Sequence, residues 1–521
     1  MISATTCLVT LAALLCQSAS AKVYTLDPFL VAWNQTALAL SVAHRDDPSR
    51  VLFASPGGAR PFLAAAQVKA HSPPVTTDGG YNCGFDDKSP LKACETTAWM
   101  TADQTAAVVH YRATAPSSLL LSGVLHRRGQ LIDVPYEVEL ASASDDDGSP
   151  YLRFSARLQG SEIVADSRIF LSFRSPPDEK LFGFGQQYSV WDQKGSALPL
   201  LVTEQGVGRG VQPLTEAINL FGGKCGGNHW TTYGPAPLFI GASRGNSNAN
   251  GKETTDYRAL LLEGSAFSLF DMRSDTEVIR AEVWGRNVSG RVLYAPSTAV
   301  VQQETPPLTL LRGISAYTGR MKPLPPWVDT GAIIGMEGGK GTVLNITETL
   351  IKARVPIAAI WLQDWTGERH LAGGDRLWWN WESDDTTYPD WVGMVARLRA
   401  DHGVRVLSYV NPYLVNASTK ASGCRRNLLQ EASDAGYLVQ RSAAAGGGNY
   451  MLQSGSKKFE FGTVDLSSPA AATWFAQVIV DNMLRPAGKR NATGGVSGWM
   501  HDFGEYLPFD AVTFLPPSLP S

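Results

Sequence analysis

Two patterns of hydrophobic and polar positions divide the chain. Up to about residue 320, short apolar runs recur between turn signals, and several of them alternate with polar residues, as in β-strands with one buried face. No long 3.6-residue period is present in this half. The pattern predicts strands over residues 106–114, 119–125, 132–140, 151–158, 169–173 and 278–283. Strands of this kind over some 300 residues predict a large β-sandwich.

The pattern changes after the proline-rich segment 323–326. The predicted strands are 328–336, 357–365, 404–411 and a short one ending at Asp502, and the predicted helices between them are 345–353, 390–402, 425–435 and 469–484. Ser468 before Pro469 is a strong helix start, with a capping serine before proline at the first helical position. This alternation predicts a parallel sheet with crossover helices. Four strands are half of what an eight-stranded barrel requires.

Composition and charge exclude several classes of function. The 521 residues include 45 basic and 48 acidic ones, for a net charge of −3, without a basic patch or a charged run. We therefore expect no nucleic-acid partner. The eight histidines are scattered, without metal-ligand spacing, so we expect neither a catalytic metal nor a cofactor. The sequence has no Gly-x-Ser-x-Gly elbow and no complete phosphate loop.

The N-terminus predicts the secretory route. An apolar stretch from Cys7 to Cys16 is followed by Ala19-Ser20-Ala21, so residues 1–21 are interpreted as a cleaved signal peptide. An unprocessed anchor is the alternative, but the stretch is short for a bilayer. Asn-x-Ser/Thr sequons support a secreted or lumenal protein without stable membrane insertion: Asn34, Asn287, Asn345, Asn416 and Asn491. The oligomeric state stays open.

The segment 497–508 carries candidate catalytic chemistry. It joins an apolar strand end to two carboxylates, Asp502 and Glu505. In barrels of parallel strands, the catalytic residues lie at the carboxyl ends of the strands. Taken alone, the segment is about equally consistent with a strand that ends in solvated acids and has no catalytic function.

Three segments resemble glycoside hydrolase family 31: Trp361-Leu362-Gln363-Asp364-Trp365, Asp465-Leu466-Ser467-Ser468-Pro469 and Trp499-Met500-His501-Asp502-Phe503-Gly504-Glu505. Within the family the chain is similar to the sulfoquinovosidase branch, from residue 183 to about 511. The resemblance implies a galactose-mutarotase-like β-sandwich domain over 22–321 and a (β/α)8 TIM-barrel catalytic domain from 322 onward. About the first half of that barrel is expected in 322–521.

The resemblance also implies an activity. Members of this branch are retaining α-glycosidases that release sulfoquinovose, a glucose with a sulfonate at C6, from small-molecule glycosides. An α-glucosidase of the same family is one alternative. A truncated, inactive, secreted carbohydrate-binding protein is another.

The catalytic residues are implied by position. Asp502 matches the family nucleophile, and Glu505 is expected to support it by orienting its neighbours. A retaining glycosidase also needs an acid/base carboxyl group about 5–5.5 Å from the nucleophile. In the family that aspartate lies well downstream, and the segment after residue 511 no longer resembles the family. We therefore expect the acid/base to be absent from this chain.

Gln363, Arg376 and Trp379 are candidate substrate-binding residues. Their spacings of 13 and 3 match the sulfonate-binding residues of the branch. The planar fork of an arginine suits a sulfonate, and an indole N–H adds a neutral donor. Without the spacing, a surface ion pair for Arg376 and a core position for Trp379 would be favoured. Asp364 is expected to accept hydrogen bonds from sugar hydroxyls.

Two further candidates are Glu337, which departs from the family pattern, and Gln187, which follows a residue that departs from it. Glu337 ends the first predicted barrel strand, where the relatives have Gln or Lys, and its carboxylate would repel a sulfonate unless it faces hydroxyls or pairs with Arg376. Gln187 follows Gln186, which replaces a family glutamate. In the family their loop extends from the sandwich toward the active site. Trp191 and Arg209 are candidates to line the same site.

Overall fold

The protein is described from a computed structural model. The structure describes residues 21–56, 61–70, 75–76, 80–81, 95–114, 116–127, 133–146, 148–160, 167–202, 208–221, 226–227, 229–245, 254–273, 277–295, 305–371, 374–443, 446–453, 459–485, 494–508 and 511–514. Nearly all of the predicted signal peptide, residues 1–20, lies outside them. Within these ranges no helix is both long enough and apolar enough to cross a bilayer.

The first two sheets are antiparallel. One contains β1 (Ala21–Leu26), β2 (Phe29–Asn34), β3 (Ala39–His44) and β4 (Asp47–Ala54), in that order. The other has thirteen strands: β5 (Leu63–Ala70), β8 (Glu95–Arg112), β9 (Ser118–Arg127), β10 (Asp133–Ser144), β11 (Pro150–Leu158), β12 (Ser167–Arg174), β13 (Lys180–Gly185), β14 (Ala197–Leu200), β15 (Pro235–Arg244), β16 (Thr255–Glu263), β17 (Ser268–Asp271), β18 (Val278–Trp284) and β19 (Asn287–Ala295). The order is β13-β15-β16-β19-β11-β10-β9-β8-β5-β12-β18-β17-β14.

The thirteen-stranded sheet folds onto itself and buries one core. Phe173 on β12 stacks on Phe239 on β15, with ring centroids 5.9 Å apart, although β12 and β15 lie far apart in the strand order. Phe184 on β13 meets Phe270 on β17 at 5.2 Å in the same way. The two halves of the sheet therefore face each other as a sandwich. All six strands predicted in this half are confirmed.

Among the described residues of this half are two helices that hydrophobic periodicity did not predict, Leu214–Phe221 and Pro306–Thr318. The second buries only Leu310, Gly313 and Ile314, and these pack on a small cluster formed by β16 and β19. Because few positions face the core, the apolar stripe of this helix is too sparse to stand out in the sequence.

A four-stranded parallel sheet forms the centre of the second half. It contains β20 (Ala332–Met336), β21 (Ile357–Leu362), β24 (Arg405–Val410) and β29 (Gly498–His501), in the order β20-β21-β24-β29. Helices Gly339–Lys352, Trp391–His402, Leu428–Asp434 and Pro469–Ile479 accompany it, with the π-helical segment Val480–Leu484 after the last. The four predicted strands and four predicted helices are confirmed as elements. That they form half of a barrel stays a prediction.

Further short strands lie outside this parallel sheet. They are the hairpin β22 (Glu368–Leu371) and β23 (Gly374–Leu377), the pair β26 (Gln440–Arg441) and β30 (Ala511–Val512), and a small sheet of β25 (Tyr413–Leu414), β28 (Glu460–Thr463), β27 (Met451–Gln453), β6 (Val75–Thr76) and β7 (Gly80–Tyr81). In the small sheet, β6 of the first half pairs with β27 of the second. The two halves are therefore joined by a shared sheet.

Several predicted boundaries were wrong. The first predicted barrel strand begins at Ala332, because Pro326–Thr330 form a 3-10 turn and not an extended strand. The second strand ends at Leu362 because Asp364–Thr366 form another 3-10 turn. The first helix starts at Gly339, six residues earlier than predicted, after Gly338 with a φ of +99°. The hairpin of β22 and β23 was not predicted.

A buried ion pair holds the segment after β21 in place. Lys420 Nζ lies 3.0 Å from Asp384 Oδ2, with the two side chains 2% and 5% exposed, and Nζ also donates to the Thr366 carbonyl at 2.9 Å. Burial alone would raise the pKa of Asp384, but hydrogen bonds from Ser422 and the Thr387 N–H, together with the Lys420 charge, lower it to about 2. Asp384 is therefore ionised throughout the neutral range.

We expect this pair to make stability depend on acid pH. The folded-state pKa of Asp384 lies below the ordinary 3.8, so its contribution is complete above about pH 4 and is lost as the pH falls toward 2. The shift corresponds to about 2 kcal/mol. Urea unfolding from pH 5 to pH 2 should show this loss in the native chain. Asp384→Asn should lack it, whereas the control Asp401→Asn should keep it, and an equal pH dependence in both variants would contradict the assignment.

Candidate active site

Asp502 lies at the carboxyl-end edge of the parallel sheet. It follows β29 directly, and its backbone N–H donates to the Val410 carbonyl at 3.0 Å, which continues the ladder with β24 by one bond. The Tyr409 hydroxyl donates to Asp502 Oδ2 at 2.8 Å. Among the described residues, Oδ1 of this half-buried carboxylate accepts no hydrogen bond. One oxygen is thus fixed by the protein and the other is left for a ligand.

Tyr409 holds the carboxylate from the neighbouring strand. Its side chain is buried, its hydroxyl accepts a hydrogen bond from Asn411 Nδ2 at 3.2 Å, and its carbonyl accepts one from the Trp365 indole at 2.8 Å. Burial and the negative charges of Asp502 and Glu505 raise the pKa of Tyr409 well above its usual range. The hydroxyl is therefore always protonated and acts as a hydrogen-bond donor to Asp502.

The backbone after Asp502 turns sharply. Phe503 has a φ of +53°, a left-handed conformation that is uncommon for a non-glycine residue, and Gly504 follows with a φ of +127°. The Gly504 N–H donates to the Tyr413 hydroxyl at 3.2 Å. The Phe503 ring packs on Trp379 with centroids 5.9 Å apart. These contacts hold the strained turn in place next to the candidate nucleophile.

Glu505 is placed inside the protein by this turn. Its side chain is 6% exposed, and its charge contributes to the raised pKa of Tyr409. It therefore lies close enough to influence the same tyrosine that holds Asp502. Its supporting role stays a prediction.

Gln363 and Asp364 follow β21 at the same edge. Gln363 is half-buried before the 3-10 turn. Asp364 is 2% exposed, and its Oδ2 accepts hydrogen bonds from the N–H groups of Gly338 and Gly339 at 2.9 and 3.1 Å, at the start of the helix Gly339–Lys352. The Tyr388 hydroxyl donates to Oδ1. A carboxylate at a helix N-terminus is favourable, so Asp364 has a structural function, and its contact with sugar hydroxyls stays a prediction.

Carboxylates cluster beside Asp364. Glu337 is exposed directly after β20, and Glu368 lies on β22. Burial and the charges of Asp364, Asp375 and Glu337 raise the pKa of Glu368. Among the described residues Glu337 forms no ion pair, so the pairing with Arg376 that would offset its charge is not made. This part of the edge is acidic.

Arg376 and Trp379 lie on and after β23. Arg376 is half-buried and its Nη1 donates to the Asp375 carbonyl at 3.0 Å. Trp379 is 5% exposed, and its ring packs on Tyr413, Phe459 and Phe461 at 5.3, 5.0 and 5.1 Å. Its indole nitrogen is buried and has no acceptor in the described chain. The ring belongs to the core, as its sequence context favoured, and its binding of a substrate stays a prediction.

Gln187 lies on the loop after β13. Its Nε2 donates to the Phe184 carbonyl at 3.0 Å, and its buried Oε1 has no partner in the described chain. Nearby, Gln186 accepts from the Tyr188 hydroxyl, and the Arg209 guanidinium lies 4.4 Å from the centre of the Tyr188 ring. These contacts are local to the first half of the chain. That Gln187, Arg209 and the exposed Trp191 approach the Asp502 edge stays a prediction.

Sequence reasoning missed Tyr409, Tyr388 and Lys420. Tyr409 precedes the end of β24 by one residue, and its position near a predicted barrel-strand end was the signal that could have identified it. Tyr388 and Lys420 lie in loops and gave no comparable signal. Among the described residues, no group of three His, Cys, Asp or Glu side chains could hold a metal ion.

If Asp502 is the nucleophile that the sequence resemblance implies, Tyr409→Phe should slow its reaction with a glycosyl donor without unfolding the protein. Removing the hydroxyl frees Asp502 Oδ2 to rotate, and we expect a rate loss of about tenfold, the size of one hydrogen bond to a charged group. The measurement is the rate at which an activated glycosyl fluoride labels Asp502. Tyr437→Phe is the control and should leave the rate unchanged, because Tyr437 lies beside the same core with its ring tilted against Trp474. Equal rates for both variants would rule out a positioning role.

The barrel region matches a known family. Residues 323–518 match the model described as the glycosyl hydrolases family 31 TIM-barrel domain. A sulfoquinovosidase of Agrobacterium fabrum is 33% identical over 344 residues, which cover 66% of this chain and 45% of that protein. A sulfoquinovosidase of Escherichia coli is 31% identical over 368 residues, which cover 71% of this chain and 47% of that protein. The chain therefore spans about half the length of these curated relatives.

A solved structure shares the fold. A family 31 sulfoquinovosidase from E. rectale, in complex with an aza-sugar inhibitor, superimposes with a TM-score of 0.66 at 23% identity. The match covers 95% of this chain and 60% of that one. It extends over both the sheet-rich N-terminal half and the barrel region.

Proposed function

We propose that this chain, which belongs to glycosyl hydrolase family 31, provides the nucleophile and the sugar-binding residues of a retaining α-glycoside hydrolase acting on α-sulfoquinovosides. The observation that carries the proposal is the setting of Asp502. Its carboxylate is held on one oxygen by Tyr409, at the sheet edge where Gln363 also emerges. A rigid, half-buried carboxylate at the carboxyl ends of parallel strands is typical of a barrel active site.

The proposed reaction has two steps. Asp502 Oδ1 attacks the anomeric carbon as the bond to the leaving oxygen breaks, and the leaving oxygen takes a proton from a general acid. Water then cleaves the glycosyl ester with base assistance, which returns the carboxylate and releases the sugar with retained configuration. Tyr409 orients the nucleophile throughout. No described residue of this chain is assigned as the general acid.

Arg376 and Trp379 would select a sulfoquinovoside over a glucoside. Arg376 lies on the hairpin β22–β23 and carries guanidinium donors, and the buried indole N–H of Trp379 has no acceptor among the residues that the structure describes. A sulfonate at C6 would accept from both, whereas the 6-hydroxyl of a glucoside needs no cation.

An α-glucosidase is the second candidate, and a specific observation favours it. Glu337, Asp364 and Glu368 make one side of the same edge acidic, and burial followed by this crowding of carboxylates raises the pKa of Glu368. Carboxylates accept hydrogen bonds from neutral hydroxyls and repel a sulfonate. The two candidate functions therefore differ in whether the C6 group of the sugar binds at Arg376 or at the acidic side of the edge.

The test uses the full chain with aryl α-sulfoquinovoside and aryl α-glucoside that carry the same activated leaving group. Faster turnover of the sulfoquinovoside supports the proposal, and faster turnover of the glucoside supports the second candidate. Calorimetric titration with the matching methyl glycosides is run in parallel. Binding without turnover of either aryl glycoside would favour a carbohydrate-binding protein.

A further inference from the structure

The hairpin β22–β23 separates its charges by face. Arg369 and Arg376 are directly opposite each other in the antiparallel register, so their side chains leave the same face of the hairpin. The next pair, His370 and Asp375, leaves the other face, and there His370 Nδ1 lies 2.6 Å from Asp375 Oδ1. The acids of the hairpin are thus turned away from the arginine face. Two like charges directly opposite each other on a hairpin repel.

Among the described residues, Arg369 has aromatic neighbours and forms no ion pair. Its guanidinium lies 4.4 Å from the ring centre of Trp378 and 4.4 Å from that of Phe459. Its Nε and Nη2 atoms are buried, and neither has an acceptor in the described part of the chain. Burial lowers the pKa of Arg369 to about 10, which still leaves the group charged at neutral pH.

Two other arginines with little exposure, Arg258 and Arg291, are paired with carboxylates. Arg258 donates to both oxygens of Glu179 at 2.7 and 2.8 Å. Arg291 donates to Asp145 and to Glu263, each at 2.7 Å. A buried cation without a partner costs free energy, so folded proteins normally pair it. Arg369 departs from that rule at the edge where the substrate is proposed to bind.

The neighbours of Arg369 connect it to the site. Phe459 contacts both Arg369 and Trp379, and Trp379 packs on Phe503, the residue after Asp502. Nε and Nη2 of Arg369 and the indole nitrogen of Trp379 lack acceptors in the described chain. Three donor atoms without acceptors are therefore held by one continuous aromatic cluster.

We propose that Arg369 is a specificity-determining residue that, together with Arg376, clamps an anionic group of the substrate. This rests on the proposed function, in which the anion is a sugar sulfonate. A sulfonate between the two guanidinium groups would provide the acceptors that Nε and Nη2 lack and would offset the repulsion across the hairpin. The rings of Trp378 and Phe459 keep the Arg369 plane oriented before the ligand arrives.

The test compares Arg369→Met and Arg369→Lys with the native full chain. Arg441→Gln is the control, because Arg441 also covers an aromatic ring, Tyr450, but is exposed and far from the hairpin in sequence. The ligands are methyl α-sulfoquinovoside, methyl α-glucoside and inorganic sulfate. Binding is measured by calorimetry, and the thermal midpoint is measured with and without each ligand.

For Arg369→Met we expect weaker binding of the sulfoquinovoside by roughly 10- to 100-fold, with glucoside binding unchanged. Without ligand its thermal midpoint should be equal to or above that of the native chain, because an unpaired buried charge has been removed. Arg369→Lys should recover binding only in part, since lysine lacks the planar fork. The control should match the native chain in every measurement.

Other outcomes separate the two proposals. Unchanged sulfoquinovoside binding in Arg369→Met, or a lowered midpoint with equal loss for both glycosides, would overturn the role of Arg369 and make it a packing residue. If the native chain binds no sulfoquinovoside but is stabilised by sulfate, and Arg369→Met is not, the anion clamp stands and the proposed substrate fails. No response of the native chain to any of the three ligands would overturn both.

Discussion

Asp502→Asn should lower the rate of glycosyl transfer from an activated aryl glycoside by roughly 10⁴- to 10⁶-fold, the usual cost of removing a catalytic nucleophile. The amide keeps the volume of the side chain and can still accept from Tyr409, so the fold should be unaffected. An aryloxide leaving group is chosen because it departs with little protonation, which makes the result independent of a general acid. The measurement is the initial rate of aryloxide release by the full chain.

Covalent labelling identifies the residue directly. An activated fluoroglycosyl fluoride should attach one sugar to the peptide containing Asp502 in the native chain and to no peptide in Asp502→Asn. In Asp502→Ala, azide can enter the vacated space and attack the anomeric carbon as aryloxide leaves, which gives a β-glycosyl azide. Formation of the α-azide, or labelling of a different carboxylate, would show that Asp502 is not the nucleophile.

Arg376→Ala should lower activity on the sulfoquinovoside much more than activity on the glucoside. If its guanidinium binds a sulfonate, its removal should cost about 2–4 kcal/mol of transition-state stabilisation on the sulfoquinovoside, with little effect on the glucoside. The loss is measured as the ratio of kcat/KM values for the two aryl glycosides. Arg376→Lys should recover only part, because an ammonium group cannot donate in a planar fork.

The neutral substrate serves as the control within that experiment. Equal losses on both substrates would mean that Arg376 supports the hairpin and does not contact the ligand. Its donation to the Asp375 carbonyl at 3.0 Å provides the basis for that alternative.

Much of the fold was predictable because it is encoded locally. A period of two residues marks the sandwich strands, and the alternation of apolar strands with helices marks the parallel sheet. The helix start at Ser468 and Pro469 was predicted from two adjacent residues, and the Ser468 hydroxyl does accept the Ala471 N–H at 3.4 Å. Where local rules conflicted, the predictions failed: the strand ending at Leu362 was extended through apolar Trp365, which instead turns inward on a 3-10 helix.

The candidate site was predictable only in part. The position of Asp502 after a strand, and the spacing of Gln363, Arg376 and Trp379, can be identified in the chain itself. The hairpin that carries Arg376 could not be predicted, because its four-residue strands are too short for a period to emerge.

By itself, therefore, the sequence determined the two kinds of sheet, the order of their elements and the candidate chemical groups, since each depends on residues close together in the chain. Only the tertiary structure decided which groups meet. Tyr409 reaches Asp502 across 93 positions, Lys420 reaches Asp384 across a loop, and Arg369 is set against Arg376 by strand register. Such contacts depend on how strands align and how side chains fill the core. Both depend on residues far apart in the chain, so hydrophobic periodicity does not reveal them.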